Sequence, residues 1–281
     1  MEYKNYFEMF SSVRDYSRAL ETRTKNNVLF NSNRSETHPE WWCTTASYNV
    51  ADNLLKFGDK ANFEKIKAYT IKNSLDQKAS TVLKFEKSVC GIIPIVGAFL
   101  SGSPKCMLAT KKVAKENRIY NIYIDTSVHK KVESDKIIEI GARIVALIGA
   151  IEAKQVRCNV FVGASACEFS QTITHFICVK KANQAFNKLA LAYFLINPSF
   201  LRRHNFRYLE CFPGVLDPAF RRDVYCSSLA VVKKQISEYL NNKVDNTYFL
   251  SVGKLCAQQK LDMQEFVTNF IKGDFLLEKG K

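Results

Sequence analysis

The sequence predicts an α/β protein: a mostly parallel sheet with helices on both faces, preceded by a helical N-terminal extension. Three observations carry that expectation. Strand-like and helix-like periodicities alternate from residue 118 to residue 273, which is the pattern of β-α-β units. The segment Thr172 to Val179 is largely apolar on both sides, as a strand inside a covered sheet is. With 281 residues, 47% apolar and 12% aromatic, the chain can fill a sizeable core, which excludes disordered and collagen-like classes.

Residues 1–117 are expected to form a helical or irregular extension. After its first turns the segment to residue 40 is polar, and Asn26-Asn27 and Asn31 to Ser35 read as loop. Ser47 is placed to cap a helix whose apolar stripe is Val50, Leu54 and Leu55 and whose stop is Gly58. A second helical pattern runs through Phe63, Ile66, Lys67, Tyr69 and Thr70. Gly91 to Met107 is apolar but punctuated by Gly91, Pro94, Gly97, Gly102 and Pro104, so a buried, irregular connection is expected there.

Residues 118–281 are expected to form the α/β domain. Tyr120 to Asp125 alternates as a strand does and ends in a polar loop. Ser134 caps a long helix with Asp135 in its first turn, and Ile137, Ile140, Ile144, Leu147, Ile148 and Ile151 form its main apolar face. Strands follow at Arg157 to Gly163 and Thr172 to Val179. The next helix carries Leu189, Leu191, Tyr193 and Phe194 and breaks at Asn197-Pro198, where a new helix starts. A helix from Ser228 to Leu240, a strand at Thr247 to Ser251 and a last helix complete the pattern. Asp262 and Glu265 make a capping box for that last helix, Leu261 and Phe266 a hydrophobic staple, and Gly273 the stop.

The N-terminus has no apolar run of signal-peptide length. The longest apolar stretch, Ile137 to Ile151, is 15 residues long and is interrupted by Glu139 and Arg143, too short to span a bilayer. An intracellular protein with no membrane partner is expected. Nine cysteines, no two closer than nine positions, read as reduced thiols without a zinc spacing. No phosphate-binding glycine loop, nucleophile elbow or zinc-protease motif occurs. His175 and Cys178 point to opposite faces of a strand, so they cannot pair as base and nucleophile; His175 reads as a core histidine. No catalytic residue is assigned.

The formal charge is +14, of which residues 81–210 supply ten. The candidate anion-binding residues are Lys105, Lys111, Lys112, Lys115 and Arg118, then Arg202, Arg203 and Arg207, and Arg221 and Arg222. Brought to one face they would neutralise several phosphates; scattered, they would only be solvated.

Two resemblances add to this reading. The strand, the loop Asp125-Thr126-Ser127-Val128-His129 and the long helix resemble the opening of a von Willebrand factor A domain, whose D-x-S-x-S loop holds a divalent metal. That likeness implies metal ligation by Asp125 and Ser127, with His129 at the third motif position. Trp42 to Tyr48, Gly91 to Met107 and Leu195 to Arg203 are similar to an uncharacterised family of tailed-bacteriophage proteins, which implies a phage protein made in the host cytoplasm. The leading expectation is a non-enzymatic module that binds a protein partner or acts in assembly, with no cofactor other than a divalent cation at Asp125. The alternative is a nucleic-acid-binding factor in phage DNA metabolism that uses the basic surface.

Overall fold

The computed structural model describes residues 4–26, 45–69, 82–113, 119–129, 131–153, 156–168, 171–185, 187–212, 229–257 and 270. Five strands form the main sheet in the spatial order β1 (Lys4–Phe10), β7 (Gln171–Lys180), β6 (Arg157–Glu168), β5 (Ile119–Asp125) and β8 (Thr247–Ser251). β6 and β8 flank β5 in parallel, β7 runs antiparallel to β6, and β1 is parallel to β7. The sheet is therefore mostly parallel, as the alternation of elements predicts.

Strand alternation sorts the side chains into two layers. Ile122, Ile124, Val160, Val162, Ile173 and Ile177 face a large core shared with α5 (Ser134–Ala153) and α6 (Lys188–Ile196). Tyr123, Phe176 and Phe249 face the other way, onto Val232 and Ile236 of α8 (Leu229–Tyr239). Helices thus cover both faces, but unequally. Ile140, Ile144, Leu147 and Ile148 of α5 are fully buried, each worth ~1.5–3 kcal/mol relative to exposure. α5 and α6 cross closely at Gly141, where an added Cβ would lie 1.8 Å from the carbonyl oxygen of Leu195.

The helix after Ser47 keeps its expected caps, but its buried stripe is Tyr48, Ala51 and Leu55, and Val50 is exposed. Ser47 caps α2 (Tyr48–Phe57) by accepting from the Val50 N–H, and Gly58 ends it. Asp59 caps α3 (Lys60–Tyr69), accepting from Asn62 N, and its second oxygen accepts from Asn197 Nδ2. That bond joins the start of α3 to the break after α6. The last helix expected from sequence, at Asp262 to Gly273, lies outside the described residues apart from Phe270, which is buried.

Two expectations are corrected. The segment 1–117 is not merely an extension of the α/β layer. Lys4–Phe10 is an edge strand of the main sheet, and Tyr16 of α1 (Val13–Asn26) is fully buried, its ring stacked on His175. Tyr6 to Phe10 is a short run with apolar side chains on both sides, too brief for periodicity to declare it a strand.

The second correction concerns Gly91 to Met107. β2 (Val82–Ser88) and β4 (Met107–Val113) pair antiparallel, with β3 (Ile93–Pro94) on the far edge of β4 and the short helix α4 (Val96–Leu100) following it. This second sheet is not a buried connection: Val89, Ile92, Val96, Phe99 and Leu100 are between 64% and 78% exposed. Apolar composition does not by itself specify burial.

Gly141→Ala is expected to destabilise the protein by ~1–3 kcal/mol, because the neighbour that must move is backbone. Gly97→Ala in α4, with nothing within 4 Å of the added methyl, is expected to be neutral or slightly stabilising. Urea unfolding of both variants checks the pair.

Candidate functional site

The Asp125 loop forms at the carboxyl end of β5, as the sequence implies, but it turns inward. Asp125, Ser127 and Val128 are buried. Asp125 Oδ1 accepts from Ser127 N at 2.9 Å and Oδ2 from Ser165 Oγ at 3.5 Å. Ser127 Oγ donates to Ser165 O and accepts from Ser165 N. The oxygens that the resemblance assigns to a metal are thus committed to tying β5 to β6. A hard divalent cation asks for about six oxygens and compensating negative charge. One carboxylate among engaged serines does not fit it, and His129 is exposed rather than turned into the cluster. Among the described residues no group of three or more His, Cys, Asp or Glu is placed to hold a metal. Burial pushes the Asp125 carboxyl up to about 6 against the opposing pull of its serine hydrogen bonds.

The arginines expected on a basic face lie inside the fold, which corrects that expectation for Arg202, Arg203 and Arg207. After Asn197 the chain enters a π-helix, Phe200–Asn205, and then α7 (Phe206–Glu210). Arg202 and Arg203 are 3% exposed and Arg207 2%. Arg202 donates to Val132 O at 2.7 Å and Ser134 Oγ at 3.0 Å. Arg203 donates to Thr45 O at 2.7 Å and Thr45 Oγ1 at 2.9 Å. His204 Nε2 pairs with Asp52 Oδ1 at 2.9 Å and its Nδ1 with the Tyr193 hydroxyl at 2.6 Å. Asn205 donates to Thr126 Oγ1 and accepts from His175 Nε2 at 2.9 Å. Because Asn205 presents an oxygen, His175 is the Nε2–H tautomer; burial pushes its pKa down to about 3. It is a core histidine, as its place on the strand predicts.

The remaining basic candidates divide between the β2–β4 hairpin and residues outside those described. Lys105 is exposed beside the β2–β4 hairpin, and Lys111 and Lys112 belong to β4. Lys115, Arg118, Arg221 and Arg222 lie outside the described residues.

A groove that the sequence did not reveal lies on the less covered face of the main sheet. It measures about 750 Å³, and Met9, Cys178, Phe161 and Ile119 make its floor across the adjacent strands β1, β7, β6 and β5. Tyr239 at the end of α8 walls it, and Arg157 and Lys181 stand at its margin. The ladder between β6 and β7 shifts register between Val160 and Phe161, a bulge of the kind that re-aims side chains at sheet edges and sites. Burial raises the Cys178 thiol above its ordinary pKa, so at neutral pH it is an apolar lining group rather than a nucleophile. The only sequence signal for this floor is the apolar side chains on the second side of each strand, namely Met9, Ile119, Phe161 and Cys178.

The profile of one protein family, described as Domain of unknown function (DUF7192), matches residues 1–271. The chain belongs to that family. The match runs through β1, the hairpin and the α/β layer alike, so the family unit includes the segment that sequence reading set apart. No curated protein and no solved structure matches the chain.

The raised Asp125 pKa gives a signed prediction within this family fold. Between pH 3.8 and about 6 the folded carboxyl holds a proton that the unfolded chain has lost, so its favourable contribution is complete at low pH and vanishes as pH rises through 6. Asp125→Asn is therefore expected to gain on the wild type by ~1.4 kcal/mol per pH unit from pH 4 to 6 and to level off above. Unfolding by urea at pH 4, 5, 6 and 8 measures that difference.

Proposed function

We propose that this chain is a non-enzymatic, phage-encoded protein of the host cytoplasm that works as a protein-binding or assembly module, with an α/β layer of the von Willebrand A type. The single observation that carries the reading is the open groove on the sheet, whose apolar floor is bordered by Arg157 and Lys181. An open trough over four strands suits an extended or helical protein segment better than a small reactant, which enzymes enclose. The cationic margin favours acidic side chains on that segment next to its apolar anchors.

The other titratable groups support a binding role rather than a catalytic one. His175 is held neutral on the opposite face, and the Asp125 carboxylate is spent on Ser127 and Ser165. The von Willebrand A likeness is supported by the order of elements: a strand, β5, flanked in parallel by β6 and β8, a polar loop at its carboxyl end and the long helix α5 packed on the sheet. The nucleic-acid reading is weakened by the burial of Arg202, Arg203 and Arg207, whose planar forks were its best phosphate ligands.

Selection of the purified chain against a random-peptide library tests this. Enriched peptides are expected to combine Asp or Glu with aromatic or aliphatic residues, and Arg157→Glu with Lys181→Glu is expected to weaken them about tenfold or more. Peptides that bind the doubly reversed variant as well as the wild type would contradict the assignment.

A further inference from the structure

The β2–β4 hairpin ends in a tip with an unusual division of charge. From Ser88 to Pro104, 17 consecutive residues, there is no charged side chain, and Lys87 and Lys105 close the run at either end. Both lysines are exposed. Within residues 82–113 there are five lysines, at 84, 87, 105, 111 and 112, against the single acid Glu86. The exposed apolar side chains already described, Val89, Ile92, Val96, Phe99 and Leu100, all fall in the uncharged run.

The tip is also hydrogen-bonded to itself. Ile92 N donates to Leu108 O at 2.7 Å and Ile95 N to Cys106 O at 2.7 Å. Phe99 N donates to Ile95 O, Ser101 N to Gly97 O, Gly102 N to Phe99 O and Ser103 N to Ala98 O, all between 2.9 and 3.1 Å. The Ser101 hydroxyl donates to Ala98 O. Each N–H group satisfied within the tip lowers the penalty of carrying bare amides from water into an apolar phase.

We propose that this tip docks on an anionic lipid surface: Phe99, Leu100, Val96 and Ile92 enter the headgroup–acyl boundary while Lys87 and Lys105 lie at the level of the lipid phosphates. That is the layering an interfacial anchor requires, with apolar groups inward and ammonium groups at the anionic plane. Charge complementarity selects this occupant. A second copy of the chain would bring the same lysines and the same +14 formal charge against itself. Surface docking needs no spanning helix, and among the described residues no helix is long and apolar enough to cross a membrane.

The test is co-sedimentation of the full chain with vesicles of phosphatidylglycerol and phosphatidylcholine, and with vesicles of phosphatidylcholine alone. The wild type is expected to follow the anionic vesicles and not the neutral ones, and to be released by salt at about 0.5 M. The charge-neutral double variant Phe99→Ser with Leu100→Ser is expected to bind about tenfold more weakly or worse. Lys87→Glu with Lys105→Glu is expected to lose the preference for anionic vesicles. Circular dichroism and thermal unfolding of the variants should match the wild type, because all four side chains are exposed. Wild-type chain left in the supernatant at low salt overturns the proposal. So does a serine variant that binds as well as the wild type, which would reduce the effect to adsorption by net charge. Tip-dependent self-association in size-exclusion chromatography without vesicle binding overturns it too, in favour of a second copy.

Discussion

The fold depends on how the polar side chains of the π-helix Phe200–Asn205 are satisfied. Arg202, Arg203, His204 and Asn205 are consecutive and all buried. An unpaired charge or amide at such depth costs several kcal/mol, so each must find a partner, and the partners come from most of the molecule. Arg202 takes Val132 and Ser134 at the start of α5; Arg203 takes Thr45 ahead of α2; His204 takes Asp52 of α2 and Tyr193 of α6; Asn205 takes Thr126 after β5 and His175 of β7. Tyr16 of α1 closes the set through His204 O. A π-helix widens the turn and splays successive side chains, which lets four neighbours in sequence reach partners spread over α2, α5, α6, β7 and the end of β5.

That framework explains the asymmetry of the sheet. The face bearing Ile122, Ile124, Val160 and Ile177 is closed by α5, α6 and the π-helix and its ligands. The opposite face rests on α8, and the groove lies beside α8 where the floor residues of β1, β7, β6 and β5 meet. Rigid support behind a partly open sheet is a suitable arrangement for binding, since the receptor surface loses little order when a partner arrives. The hairpin tip supplies a second surface of different chemistry, without charge at its end and cationic where the run closes. Under the two proposals made above, the trough takes a protein segment and the tip a lipid surface.

Much of the α/β layer was legible in the sequence because its strands and helices obey local periodicity. Ile119–Asp125, Gln171–Lys180, Thr247–Ser251 and the Ser47-to-Gly58 helix lie where alternation and capping residues put them. Burial of Arg202 and Arg203 was not legible. Their partners lie about 70 residues away at Val132 and 158 away at Thr45, and no local pattern encodes such distances. The one clue was the setting, since Leu191 to Leu201 is almost continuously apolar and an arginine pair directly after it is poorly placed for solvent. The groove was hidden for a related reason: its floor exists only after four strands take their register. Gly91 to Met107 misled in the other direction, because glycine, proline and apolar residues describe a self-contained tip as well as they describe a buried crossing.

Native-state hydrogen exchange tests the central claim most directly. If the π-helix is the junction on which the fold depends, the amides of Phe200–Asn205 should exchange only through global unfolding, as slowly as those of β5 and β6 and with the same response to denaturant. Exchange of those amides by local opening, well before the strands, would contradict it.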